Sequence, residues 1–243
     1  MARMITARPV AILSDNYAWL LRDDASGATA IVDPAEVAPI AAAIDAAGGR
    51  LDLILLTHHH ADHIAGAEAI RARYGARMVG AAADVARLPP LDQAVAEGDT
   101  VMLGSAAARV IDTPGHTRGH ISYLFPDGDV LLCGDTLFSL GCGRLLEGTP
   151  AEMFASLHKL AVLPGDTLIC CGHEYTESNA RFAVHADPTN PALAEFAARV
   201  RATRAAGRPT LPSRLAEELE ANPFLRAPDV AGFADLRARK DRF

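Results

Sequence analysis

The chain has 243 residues, half of them hydrophobic and 22% charged, enough for one large domain or a main domain with an appendage around a sizeable core. Its formal net charge of −7 recommends neither nucleic acid nor an acidic membrane as a partner, and an anionic substrate would need a local cluster of cations. No apolar run approaches the ~18 residues of a membrane span, and the start MARMITARPV lacks the charged-then-apolar pattern of a secretion signal.

In chain order, MITARPVAIL (4–13) and NYAWLLRD (16–23) read as strands, DDASG as a turn and ATAIVDP (28–34) as the returning strand. EVAPIAAAIDAAGG (36–49) has helical composition and stops at a glycine pair. LDLILL (51–56) is a continuous apolar run, the pattern of a strand buried on both faces. HIAGAEAIRARYG (63–75) reads as one helix and ARMVG as the next strand. Strands resume with TVMLG, AARVIDTP, HISYLFP and DVLLCG, with PDGD as a tight turn. AEMFASLHKLAVL (151–163) is helical, DTLICCG (166–172) is a last buried strand, and from about residue 175 only helical patterns remain. Two strand-rich stretches followed by helices predict two packed sheets with helices outside and a C-terminal helical segment.

The tract THHHADH directly after the apolar strand at 51–56 concentrates metal-binding side chains. In an extended chain His58 and His60 project to one side and His59 to the other, while Asp62 and His63 lie where the loop turns into a helix. The first two can converge on one point and the second two on a neighbouring one. Imidazole with carboxylate suits zinc, iron or manganese better than calcium or magnesium. Four residues cannot close two sites, so further ligands are needed. His116 in TPGH, His173 in CCGH and Asp135 in LLCGD all stand in turns directly after strands, where ligands gather in a layered α/β architecture. His120 reads equally as a support for these or as an ordinary strand-start histidine. His158 and His185 lie on helical patterns, and Asp15 could orient a metal-bound histidine. Cys133, Cys142, Cys170 and Cys171 lack paired-ligand spacing and are expected to be reduced thiols of a cytoplasmic protein.

In order and spacing, THHHADH, TPGHTRGH, CGDTLF and CGHEYT resemble the metallo-β-lactamase superfold. SDNY, GCGRLLEGT, the late NPF and the terminal RARKDRF narrow the resemblance, across essentially the whole chain, to the glyoxalase II (hydroxyacylglutathione hydrolase) family. That resemblance implies an α+β fold, an αββα four-layer sandwich over residues 1–173, with a helical domain over 174–243 that completes a glutathione site. It implies two divalent metals, zinc first and iron or manganese as alternatives. His58, His60 and His116 would hold one, Asp62, His63 and His173 the other, and Asp135 would bridge them. Asp135 and Asp62 are then the candidate catalytic carboxylates. Arg144, Tyr175, Arg237 and Lys240 would contact the glutathione part of the substrate.

The implied reaction is hydrolysis of S-(2-hydroxyacyl)glutathione thioesters, chiefly S-D-lactoylglutathione, by a hydroxide shared between the metals, in a monomer acting on methylglyoxal-derived adducts. A thiol of pKa near 8.5 leaves without strong acid help, which fits the lack of an obvious general acid beyond the ligands. Leu145 and Leu146 stand where relatives often carry an aromatic, so contacts through such a ring are expected to differ. The alternative reading is a glutathione-persulfide dioxygenase with one iron on His58, His116 and Asp135.

Overall fold

The structure is a computed structural model in which residues 5–243 are described; Met1–Met4, which open the predicted first strand and the stretch scanned for a secretion signal, lie outside them. The first half of the chain contributes strands β1 (Ile5–Ile12), β2 (Asn16–Asp23), β3 (Thr29–Val32), β4 (Leu53–Leu55), β5 (Arg77–Ala81) and β6 (Gln93–Val95), hydrogen-bonded in that order. The first two pairings are antiparallel and the later ones parallel. Helices α1 (Val37–Ala46), α2 (Ala61–Ile64) and α3 (Ala67–Tyr74) lie between the parallel strands in sequence.

Alternation explains the apolar run at 51–56. Leu53 and Leu55 face the inter-sheet core with Trp19, Leu21 and Val79, whereas Ile54 and Leu56 face Ile40, Ile44 and Ile70 of the helical layer. A strand covered on both sides has no polar face to show.

The second sheet is built from β7 (Thr100–Leu103), β8 (Ala106–Asp112), β9 (Ile121–Phe125), β10 (Val130–Gly134), β13 (Leu168–Cys171) and β14 (Ser213–Arg214), in the order β14-β13-β10-β9-β8-β7. A separate hairpin of β11 (Leu137–Phe138) and β12 (Gly141–Cys142) follows β10. Helix α4 (Pro150–Ala161) opens with a capping box between Thr149 and Glu152, an N-terminus of the kind each worth about 1 kcal/mol. Its Met153, Leu157 and Leu160 are buried in the same core as Val110, Tyr123 and Leu131. The chain ends in α5 (Thr176–Ala186), α6 (Pro191–Ala205), α7 (Leu215–Ala221) and α8 (Val230–Asp241), the first three sharing a smaller core around Leu140, Leu193 and Phe196. The arrangement is the αββα sandwich with a helical C-terminal part.

Three sequence expectations need correction. The stretch 63–75 is two helices, because Gly66 sits so near Pro34 that a Cβ there would lie 2.7 Å from the Pro34 carbonyl oxygen. The tail is not purely helical, since Ser213 and Arg214 pair antiparallel with β13. The PDGD turn is a short 3-10 helix, Pro126–Gly128, closed by Asp129 at φ 51. Across the two sheets, Tyr17 N–H donates to the Gly172 carbonyl (2.8 Å) and the Trp19 indole to the Cys171 carbonyl (2.9 Å). Among the described residues no helix is long and apolar enough to cross a membrane, and none of the four buried cysteines is in a disulfide.

Candidate metal centre

Strand β4 delivers the histidine tract to the end of the sandwich. Its neighbour β3 is followed directly by Asp33, whose φ of 53 turns the carboxylate under the tract. Asp33 accepts the Thr57 N–H at 2.8 Å and the Thr57 hydroxyl at 2.7 Å, so the chain leaves the sheet in one fixed direction. His60 remains extended (φ −63, ψ 142) just before α2 begins.

Two clusters of ligand atoms result. His58 Nε2 lies 3.2 Å from His60 Nδ1, which lies 3.0 Å from His116 Nε2. Beside them, Asp62 Oδ2 is 3.7 Å from His63 Nε2 and 3.4 Å from His173 Nε2. Asp135 spans both. Its Oδ1 lies 3.5 Å from His63 Nε2, and its Oδ2 lies 3.4 Å from His116 Nε2 and 3.3 Å from His173 Nε2. All seven residues singled out in the sequence therefore meet at one crevice.

This donor set fits cations. The buried His63 Nε2 and Asp135 Oδ1, 3.5 Å apart, have no hydrogen-bond partner, a costly state that a cation between such donors would relieve. Four rings are held from behind: His58 Nδ1 by Thr57 Oγ1 (3.0 Å), His63 Nδ1 by Asp33 (3.0 Å), His116 Nδ1 by the Arg144 carbonyl (2.9 Å) and His173 Nδ1 by Asp15 (2.9 Å). Such partners fix which nitrogen faces the ion, the usual support of ligating histidines. His60 presents Nδ1 instead.

Charge supports the same conclusion. Burial, reinforced by neighbouring imidazoles, holds His58 and His60 below the usual histidine range, in the neutral ligating form. Burial disfavours charge at His63 too, yet Asp135 and Asp33 outweigh it and push its pKa well up. His173 behaves alike: Asp135, Asp62 and Asp15 overcome burial and raise it to about 10. Conversely, burial would raise Asp135, but His63 and His173 hold it well below the usual carboxylate range. The His173 hydrogen bond likewise holds Asp62 low. The second cluster thus demands positive charge, as protons or as a cation that displaces them.

The glycines of the CGD and CGH motifs are steric requirements. A Cβ on Gly172 would lie 2.6 Å from Asp135 Oδ1, and one on Gly134 (φ +44) would lie 2.5 Å from Thr57 Oγ1. His59 points away as expected, with its Nδ1 3.0 Å from Asp84. His120 resolves as a support: its Nε2 accepts the Asp135 N–H (3.1 Å) while Nδ1 faces Thr113 Oγ1 (2.9 Å). His158 bonds the Phe154 carbonyl on its own helix, and His185 stacks near Phe243, both away from the crevice. Asp33 is a support that the sequence motifs do not single out, and Asn16, at the end of the turn beneath the site, is a second. The latter's amide donates to Asp62 Oδ2 at 3.0 Å. An acid directly after the apolar strand at 29–32 was the available signal, the same one that identified Asp135.

From the crevice a cleft of about 580 Å³ runs toward the C-terminal helices, lined by His116, Asp135, Phe138, Tyr175, Arg144 and Lys240 among others. Tyr175 stacks on His173 at 4.5 Å. Arg144 is exposed (71% of its side chain), Leu145 packs inward and Leu146 is 60% exposed. Arg237 also lines the cleft, beside Lys240, but is only 5% exposed. A separate hollow of about 620 Å³ beside the 13–15 turn reaches the metal group only through Asp15 and Asn16.

The metallo-beta-lactamase superfamily profile matches residues 13–173, and the hydroxyacylglutathione hydrolase C-terminus profile matches 174–243. A hydroxyacylglutathione hydrolase of Acidiphilium cryptum is 61% identical over 99% of this chain and 98% of its own length. Among solved structures, ETHE1 from Myxococcus xanthus is 27% identical with a TM-score of 0.72, covering 96% of this chain and 90% of that one. TTHA1623, solved in a di-iron-bound form, is 27% identical with a TM-score of 0.60, covering 68% of this chain and 91% of that one.

Proposed function

The chain belongs to the hydroxyacylglutathione hydrolase family of the metallo-beta-lactamase superfamily, and we propose that it hydrolyses S-(2-hydroxyacyl)glutathione thioesters, chiefly S-D-lactoylglutathione, at a dinuclear centre. The observation that carries this reading is the Asp135 carboxylate lying between two complete clusters at the floor of a cationic cleft.

His58, His60 and His116 would hold one divalent ion and Asp62, His63 and His173 the other, with Asp135 within reach of both. When bound, such ions lower the pKa of a water toward neutrality and polarise a carbonyl oxygen. Zinc suits the donor set, as do iron and manganese. The chain's own part is to fix geometry and accept protons. Asp62 and Asp135, both kept ionised by their histidine neighbours, accept hydrogen bonds from the attacking water and aim its lone pair at the thioester carbon. Tetrahedral collapse then breaks the carbon–sulfur bond: a thiol of pKa near 8.5 departs as thiolate without a dedicated acid, and the acyl group leaves as carboxylate. The two protons of the spent water pass by way of half-exposed Asp62 to solvent, from which the thiolate is reprotonated.

Residues 1–173 form the catalytic unit and 174–243 complete the glutathione site. Arg144, Lys240 and Tyr175 meet the glutathione carboxylates and peptide groups, with Arg237 in the wall behind them. Lys240 is pushed down to about 8 by burial and by Arg237, Arg181 and Arg144, a crowding of cations that a bound carboxylate relieves. One chain supplies every group named here, so a monomer suffices for the reaction, and its unbridged cysteines suit the cytoplasm. The single-iron dioxygenase reading leaves Asp62, His63 and His173 without a purpose. Steady-state assay of metal-replete protein with S-D-lactoylglutathione, alongside elemental analysis, tests the proposal. Turnover with about two metals per chain is expected, and absence of thioesterase activity would sink it.

A further inference from the structure

The Asn222-Pro223-Phe224 stretch takes no part in the chemistry above, yet it lies directly behind the cleft. The hairpin β11–β12 forms one cleft wall through Phe138 and Cys142. Only two residue pairs hold it together, Leu137 with Cys142 and Phe138 with Gly141, and its turn places Leu140 at φ 55. A hairpin this short has little stability of its own.

Its remaining backbone groups are satisfied from the C-terminal part of the chain. Glu218 Oε2 accepts the Leu140 N–H at 2.7 Å. The Asn222 amide donates to the Phe138 and Gly141 carbonyls, each at 3.1 Å. Arg237 donates to the Cys142 carbonyl at 2.8 Å, and Asn179 to that of Ser139 at 3.1 Å. Asn222 is itself fixed, donating to Glu218 at 3.1 Å and accepting the Phe224 N–H at 3.0 Å, while the Phe224 ring lies 5.3 Å from the Arg237 guanidinium. Asn222 and Glu218 are fully buried, so loss of these bonds leaves carbonyls with no water to replace them. The hairpin in turn positions the site. Phe138 meets Tyr175 edge-on at 5.4 Å and His173 at 6.0 Å, and Tyr175 is stacked on His173.

We propose that Asn222, acting with Glu218 and Arg237, is a positioning residue that clamps the hairpin wall and so sets Phe138, Tyr175 and the glutathione-facing surface of the cleft. The proposal rests on the functional reading only for the identity of the ligand. Its test compares wild type with Asn222→Ala and with Leu219→Ala, a partly exposed residue of α7, the helix that Asn222 follows, which makes none of these contacts. The measurements are amide exchange in residues 137–143, calorimetric affinity for S-hexylglutathione and metal content, all taken well below the melting temperature. In Asn222→Ala, exchange in the hairpin should quicken and the conjugate should bind about tenfold more weakly. Metal content should hold near wild type in both variants, and Leu219→Ala should match wild type throughout. A folded Asn222→Ala with wild-type hairpin exchange and affinity overturns the proposal. Should Asn222→Ala fail to fold, Asn179→Ala, which removes one bond to the same turn, must show the same changes in smaller measure or the proposal falls. Wild-type protein that binds the conjugate yet hydrolyses no thioester would defeat the functional reading and leave the clamp standing.

Discussion

The metal crevice and the cleft wall adjoin each other but are built differently. In the crevice, ligands stand on strand ends between two sheets, and four imidazoles are each gripped from behind by Thr57, Asp33, Asp15 or the Arg144 carbonyl. In the wall, the groups come from a two-residue-stranded hairpin, a loop and two separate helices, and one of its cations, Arg144, is largely in solvent. Chemistry here tolerates little displacement, whereas recognition of a flexible peptide is spread over weaker, separable contacts. The contrast predicts that crevice substitutions act on kcat and metal content, and wall substitutions on KM.

Asp135→Ala should produce the largest effect, a fall in kcat on the order of a thousandfold together with loss of bound metal, read by steady-state kinetics and elemental analysis. Asp33→Asn touches no substrate and should still cost about 10- to 100-fold in metal affinity or activity with KM little changed; a shift confined to KM would break the division between the two regions. On the other side, Lys240→Met should raise KM about tenfold while kcat stays within about twofold.

The same lysine predicts a pH dependence. Its pKa is pushed down to about 8, and the protonated form is the one that binds carboxylate. KM should therefore be flat below pH 8, climb above it, and lose that climb in Lys240→Met. The smallest effect belongs to Arg144→Ala, a few-fold rise in KM that fades with added salt, because exposed ion pairs are weak and screened.

What the sequence disclosed follows the same division. His58 and His60 are legible because alternation along an extended chain is a local rule, Asp62 and His63 because they stand where the loop turns into a helix, and His116, Asp135 and His173 because each follows an apolar strand. Asp33 obeys that last rule too, but inside ATAIVDP it reads as part of the returning strand. Gly66 breaks the helix at 63–75 through contact with Pro34, a residue more than thirty positions away. The two-residue strand β14 exists only because β13 offers it an edge. The family resemblance, not any local pattern, pointed Arg237 and Lys240 to the cleft, and burial of Arg237 against Cys142 and Phe224 depends on partners that no local pattern contains.

The tie from Trp19 to the Cys171 carbonyl has an optical consequence. The chain contains one tryptophan, 1% exposed, whose indole bonds a strand end two residues before His173. Its emission should be blue-shifted by the dry core and come from one environment, beside the second cluster. Titration with a quenching ion such as iron, or loosening of the β13 strand end by denaturant, can thus be followed by fluorescence with no dye, label or added chromophore.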